Sequence, residues 1–456
     1  MSREQTGKRR FRKRNILLMI LFVGLAAFGF FRVHTHNQLK QRIETLRQQG
    51  YPMSPAELDV WYNERFPADV SNSWHLYDDA FWGYVEWSDQ KSKNLPVYSR
   101  EIQYGRGETW EPIHFAEAEA FLADNKDCLD LLYEAAEIKQ AQPPFDLSQG
   151  RALLLPELSE ARQCAKLLRL AGETAVRQDD GATSVLAIRA IFSLAASVDA
   201  PLLVCHLVRM VIERSGLEMI EDLLSVQTLP ETQVQTLQTM VDHAAIVRRY
   251  EQSLIGERAM SLELFQASPR EIEIGMGVNA NASEPELWSG VIILRKLLGL
   301  HDLDTLSYIN GMQTSLEAAA LPTHEALSRL NEIEKTQQEK LGAIAQSLNL
   351  GLSRVYVLFA RSMAELQCAG TALAVERYRL AEGQHPDTLQ DLIPTFIASV
   401  PVDPFDGQAL RYRRRNPGYV VYSVGEDLAD NQGEEGKPGK VRRGRKEWDE
   451  TFIVER

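Results

Sequence analysis

The chain has 456 residues and only four cysteines, none of them in a C-x-x-C pair. A zinc ribbon and a thioredoxin-type redox site are thereby excluded. Neither G-x-S-x-G nor a P-loop occurs, so no contiguous motif encodes a nucleophile elbow or a phosphate cradle. His324-Glu325 starts like a zinc-protease motif, but Ser328 stands where the second histidine is needed. Gly275-x-Gly277 lacks the preceding strand of a dinucleotide site. Net positive charge is confined to the N-terminus and short basic runs. Residues 1–14 carry a balance of roughly +6, so the rest carries about −19 of the formal −13. A body this acidic repels phosphate polymers, which argues against nucleic acid as a partner. The basic run 437–446, KPGKVRRGRK, contains no aromatic stacking residue and reads as a solvated loop.

Long apolar runs are also scarce, and the exception is informative. Residues 15–33, NILLMILFVGLAAFGFFRV, carry no charge between Ile16 and Phe31. As a helix they span roughly 28 Å, close to the ~30 Å hydrocarbon core. Arg32 can snorkel at the far end. The basic tail 1–14 predicts a cytoplasmic N-terminus, with everything after residue 33 outside the cytoplasm. A cleaved signal peptide is the rival. Phe28 follows Ala26-Ala27, however, and no clean A-x-A site precedes a polar start, which favours an uncleaved signal anchor. In such a compartment Cys128, Cys164, Cys205 and Cys368 could pair in three ways. Their apolar helical settings predict four small buried side chains instead.

The remaining chain divides by pattern. Residues 34–150 are aromatic-rich, helical and irregular. Ser54-Pro55-Ala56-Glu57 is a helix start, with Ser54 capping and Glu57 reaching back. Between Trp61 and Trp87 lie nine aromatics, and Trp74, Tyr77, Phe81 and Tyr84 recur at helical spacing. This reads either as a substrate platform or as a small core, and one buried helix face accounts for the spacing. Residues 88–115 are irregular around a strand-like VYSREIQYG. Residues 151–350 form an antiparallel helical body, with helices expected at 158–177, 182–198, 202–225 and 231–265. A second set is expected at 284–298, 303–319 and 324–348, with Thr323 capping the last. No 34-residue repeat signature appears. His301, Asp302 and Asp304 could offer metal ligands, but Asp302 or Asp304 capping a helix is the simpler reading. Asn281-Ala282-Ser283 fits a glycosylation pattern and nothing else supports its use.

Residues 351–456 form the last unit. A helix over 353–381 carries an apolar face and ends at Gly383. Then come HP, TLQDLIP, the turn VPVDPFDGQ, the strand ALRYRRR, the turn NPG, the strand YVVYSVG, an acidic loop and a final strand TFIVE. Asn416-Pro417-Gly418 joins two strands as a hairpin. The fold class is therefore mainly α: a transmembrane helix, a helical-hairpin body and a small C-terminal α+β domain.

Three stretches, AVERYRLAEGQHPDTLQDLIP, VPVDPFDGQALRY and GYVVYSVGEDLADNQGEEG, carry a resemblance. Over roughly residues 365–456 the chain resembles the periplasmic head of the major pseudopilins of type II secretion systems. The resemblance implies one long helix on a small antiparallel sheet. It also implies calcium at the Y-S-x-G-x-D loop, with Ser423, Asp427 and Asp449 at the matching positions and Asp430 and Asn431 as helpers. Oxygen ligands and glycines in such a loop suit a hard cation. It is not an EF-hand. Two departures stand out. The membrane segment lacks the glycine and glutamate of a prepilin-peptidase site, and some 320 residues separate it from the head. Processing and packing as a pilus subunit are therefore not expected.

Together these features predict a single-pass protein of a bacterial inner (cytoplasmic) membrane, held through residues 15–33. Its extracytoplasmic bulk would serve interaction or assembly with protein partners of the cell envelope. The alternative is an enzyme acting on envelope polysaccharide, with residues 61–87 as platform and dispersed carboxylates for acid/base work.

Overall fold

The computed structural model describes residues 2–66, 71–99, 101–138, 140–246, 249–268, 271, 293–338, 351–435 and 448–456. The chain is mainly helical with one small C-terminal sheet. Helix α1, Ser2–Gln48, holds the apolar run and is long and apolar enough to cross a membrane. It does not stop at Val33. The same helix continues into the folded body, where Leu46 is fully buried and Leu39 and Ile43 are half-buried.

Helix α2, Pro55–Asn63, begins as its sequence predicts, with Ser54 accepting from the Glu57 N–H at 3.2 Å. Glu57 reaches one residue further back than expected. It accepts from the Met53 N–H at 2.9 Å and pairs with Arg47 at the end of α1, which fixes the turn between the helices. Helix α3, Trp74–Gly83, buries Trp74, Tyr77 and Phe81 together against Phe145. Helices α4 (Pro112–Asp124) and α5 (Lys126–Glu137) follow. The strand-like stretch between them and α3 is not a strand among its described residues.

The body then runs through α6 (Glu157–Arg177), α7 (Gly181–Ser197), α8 (Leu203–Val226), α9 (Glu231–Ile246) and α10 (Arg249–Gln266). Helices α6, α7 and α8 pack on one another, as short connections require. The single helix expected over 231–265 is described as α9 and α10, and these have different neighbours. Helix α9 packs on α7, and α10 packs on α2 and α8. At one close approach in α10, any side chain in place of Gly256 would strike the Pro201 carbonyl. Helices α11 (Leu300–Ala319) and α12 (Thr323–Gln338) complete the body. Thr323 does not cap. It lies inside α12 and its hydroxyl faces the Met363 sulfur, while the Pro322 carbonyl accepts the Glu325 and Ala326 N–H groups.

Helix α13, Leu352–Glu382, ends as predicted at Gly383 in the left-handed region (φ +74°). The sequence suggests one apolar face, but residues 368–376 are all buried. One side of α13 meets α8, α9 and α12, and the other meets the sheet. The sheet has β2 (Tyr419–Ser423) between β1 (Arg411–Arg414) and β3 (Glu450–Val454), antiparallel on both sides. Every residue of β2 is buried. The hairpin turn needs Gly418, because a side chain there would collide with the Val454 backbone. A continuous apolar core runs from Leu58 in α2 through α6–α9 and α13 to Val454 in β3. Both sides of the sequence boundary at 350 therefore share one interior.

Candidate functional site

The acidic loop leaves β2 at Ser423 and returns to β3 at Glu450. Asp403, fully buried in the preceding turn, organises its root. Its Oδ1 accepts from the Ser423 hydroxyl (2.7 Å) and the Phe405 N–H (2.9 Å). Its Oδ2 accepts from the Val424 N–H (3.0 Å) and Arg411 Nη1 (2.7 Å). Four donors on one carboxylate make its burial tolerable. Ser423 also accepts from the Gly425 N–H at 3.2 Å, so its hydroxyl is committed to the loop's own geometry.

The remaining candidates lie further along. Asp427 Oδ1 accepts from the Ala429 N–H at 3.0 Å. Asp430 Oδ1 accepts from the Gln432 N–H (2.8 Å) and the Tyr422 hydroxyl (3.2 Å). Asp449 is buried and receives the Asn431 N–H (3.2 Å) and the Gly433 N–H (2.7 Å). Burial pushes the Asp449 carboxyl up to about 6. Its two backbone donors oppose that shift, and the charges of Asp430 and Asp427 add to it. The loop thus brings Asp427, Asp430 and Asp449 within electrostatic reach of one another, with the Asn431 backbone tied to Asp449. Ser423 is set apart by its bond to Asp403. Among the described residues no group of three or more His, Cys, Asp or Glu side chains is arranged to hold a metal ion. The basic run 437–446, Asn281 and Gly275–Gly277 lie outside the described residues.

A second set of polar residues, unmarked by any motif, joins this loop to the body. Arg106, almost fully buried, pairs with Glu221 of α8 (3.1 Å), Glu435 at the loop's end (2.6 Å) and Glu455 after β3 (3.4 Å). Glu221 also accepts the Ile453 N–H at 2.7 Å, so a side chain of α8 covers the outer edge of β3. Below it, Arg214 pairs with Glu365 of α13 (3.0 Å), and Arg361 pairs with Glu450 and Glu426. Burial pushes the Glu365 carboxyl up to about 7, against the pull of Arg214. Arg456 closes the seam on Glu376, Thr228 and the Leu224 carbonyl. Partners this far apart in sequence leave no local signal. A buried, multiply paired arginine in an irregular loop can be recognised only in three dimensions.

The other candidates separate. His301 faces the Phe265 carbonyl, Asp302 meets His36 at 3.1 Å, and Asp304 makes a bidentate pair with Arg295. They neither share a ligand position nor cap α11, whose N-cap is Gly299. The aromatic stretch is core rather than platform: Trp74, Tyr77, Phe81 and Trp87 are buried, and only Trp82 is widely exposed (85%). All four cysteines are buried and unbridged. Comparison with protein-family models, with curated proteins and with solved structures returned no match.

Proposed function

We propose that this chain is a single-pass protein of a bacterial cytoplasmic membrane whose extracytoplasmic body acts by binding, in interaction or assembly, rather than by catalysis. The observation that carries the reading is the apolar part of α1. None of its most apolar stretch is buried by the rest of the chain, yet the same helix is packed into the body beyond it. Burying that stretch requires another apolar phase, and its length matches a bilayer. Basic residues before it favour a cytoplasmic N-terminus. The order helix, turn, hairpin, acidic loop and last strand supports a pseudopilin-like head. The inward-facing aromatics remove the motive for a polysaccharide platform.

Protease added to intact spheroplasts should digest the body and leave an N-terminal fragment of a few kilodaltons. Protection of the body until the membrane is permeabilised would sink the topology.

Calcium belongs to the same reading: Asp427, Asp430 and Asp449, which are not arranged as a ligand set in the structure, would converge on it with Asn431, while the Ser423 hydroxyl stays on Asp403. A cation there would relieve the repulsion among three carboxylates. Millimolar calcium should raise the Tm of the full chain, and Asp427→Ala should abolish the gain. The gain should be larger at pH 7.5 than at pH 5, where Asp449 holds its proton. Equal melting with calcium and with chelator at pH 7.5 counts against the metal.

A further inference from the structure

We infer that the body touches the bilayer at a second place, the segment 293–298, whose apolar side chains enter the membrane interface beside α1. The inference rests on the reading that α1 spans the membrane, and two observations carry it.

The first is height. Helices α1 and α11 run side by side in the same direction. Arg32 Nη1 donates to the Leu297 carbonyl (3.2 Å), His36 meets Asp302 (3.1 Å), and Arg42 Nε donates to Asn310 Oδ1 (2.9 Å). Each step along α1 away from the apolar run is therefore matched by a step along α11. Arg32 marks the end of that run, so the segment preceding α11 lies at the same level, where hydrocarbon gives way to headgroups. The approach is close: a side chain in place of Gly299 (φ +73°) would overlap Arg32. Leu46, buried in the core, holds the upper part of α1 to the body and fixes this height.

The second is an inverted surface. A short solvent-exposed helix turns its charges outward and its apolar residues inward. Here the charges are turned in. Arg295 makes its bidentate pair with the buried Asp304, and Lys296 donates to the Ala267 carbonyl at 2.6 Å. Ile293, Leu294, Leu297 and Leu298 are left 50%, 54%, 62% and 40% exposed. Clustered exposed leucines are unfavourable in water and mark a surface meant for an apolar phase. The membrane is already present at this level, so lipid is the occupant. The consequence is a fixed posture. The far end of α11 is held about 30 Å from the interface. His324, just beyond that end, lies against Gly407 in the turn that organises the root of the acidic loop, so that root lies far from the lipid.

The four native cysteines are buried, so single introduced cysteines can be labelled selectively with an environment-sensitive fluorophore. Full-length Phe22→Cys, Leu294→Cys, Leu297→Cys and Leu321→Cys are reconstituted in phosphatidylcholine–phosphatidylglycerol vesicles carrying spin-labelled lipid. Labels at 294 and 297 should be blue-shifted and quenched by shallow lipid spin label but not by aqueous iodide. The label at 321, beyond the far end of α11, should show the reverse. Quenching at 22 by deep spin label together with iodide quenching at 294 and 297 overturns the seat while leaving the span intact. Absence of lipid quenching at 22 overturns the span, and the seat with it. Labels at 294 and 297 shielded from both quenchers mean that protein, such as a second copy, covers the segment, which also overturns the proposal.

Discussion

At the residue scale the C-terminal loop is governed by which carboxylates have enough donors. Asp403 is fully buried and has four. Glu365 has less. Arg214 faces it, Arg361 lies near, and Glu450 and Glu218 oppose it, so desolvation prevails and holds its carboxyl up at about 7. A carboxyl raised in the folded state binds its proton more tightly there than in the unfolded chain. Its stabilising contribution is complete below pH 4.5 and is lost as pH rises through about 7. At 1.36 kcal/mol per unit, that loss is at most about 3 kcal/mol. Glu365→Gln should flatten this part of the stability profile, measured by urea denaturation from pH 4.5 to 8. An unchanged slope would place the titration elsewhere.

At the element scale the decisive helix is α13. Its apolar positions were legible as a face, but the sequence does not reveal that the opposite side is covered too. Small residues around its circumference at this level (Ala369, Gly370, Thr371, Ala372) let helices approach on one side and the sheet on the other. Gly370 lies against Asp242 of α9 closely enough that a Cβ would meet its carboxylate. Small residues read as neutral in periodicity and become interfaces only when a partner arrives. The isolated fragment 351–456 should therefore expose the α9-facing side of α13. Its thermal melt, followed by circular dichroism, should be broad and accompanied by dye binding to apolar surface. A sharp cooperative transition would mean that the C-terminal unit has a sufficient core of its own.

At the scale of the whole molecule, buried charge accompanies the shared apolar core at the seam between body and sheet. Arg106 reaches α8, the acidic loop and the C-terminus at once. Arg106→Met keeps the stem and removes the charge, leaving Glu221 buried with one cation fewer. Losing one member of a buried pair costs about 3–5 kcal/mol. The expected result is a lowered urea midpoint and earlier proteolytic cutting between residues 425 and 435 than elsewhere. Unaltered cutting would show that the loop is held without the arginine.

The sequence by itself determined the long apolar N-terminal helix, most helix positions and the hairpin, and it narrowed the aromatics to a platform or a core. These follow from runs, periods and turn residues that act over a few neighbours. It also marked the carboxylates of the loop, but not that Ser423 is committed to Asp403. Only the tertiary structure decided that α1 continues into the core, that α13 is enclosed, and that His301, Asp302 and Asp304 part company. It also brought Arg106 to three acids more than a hundred residues away. Such pairings depend on which surfaces meet when separate helices pack, and no local pattern encodes that choice.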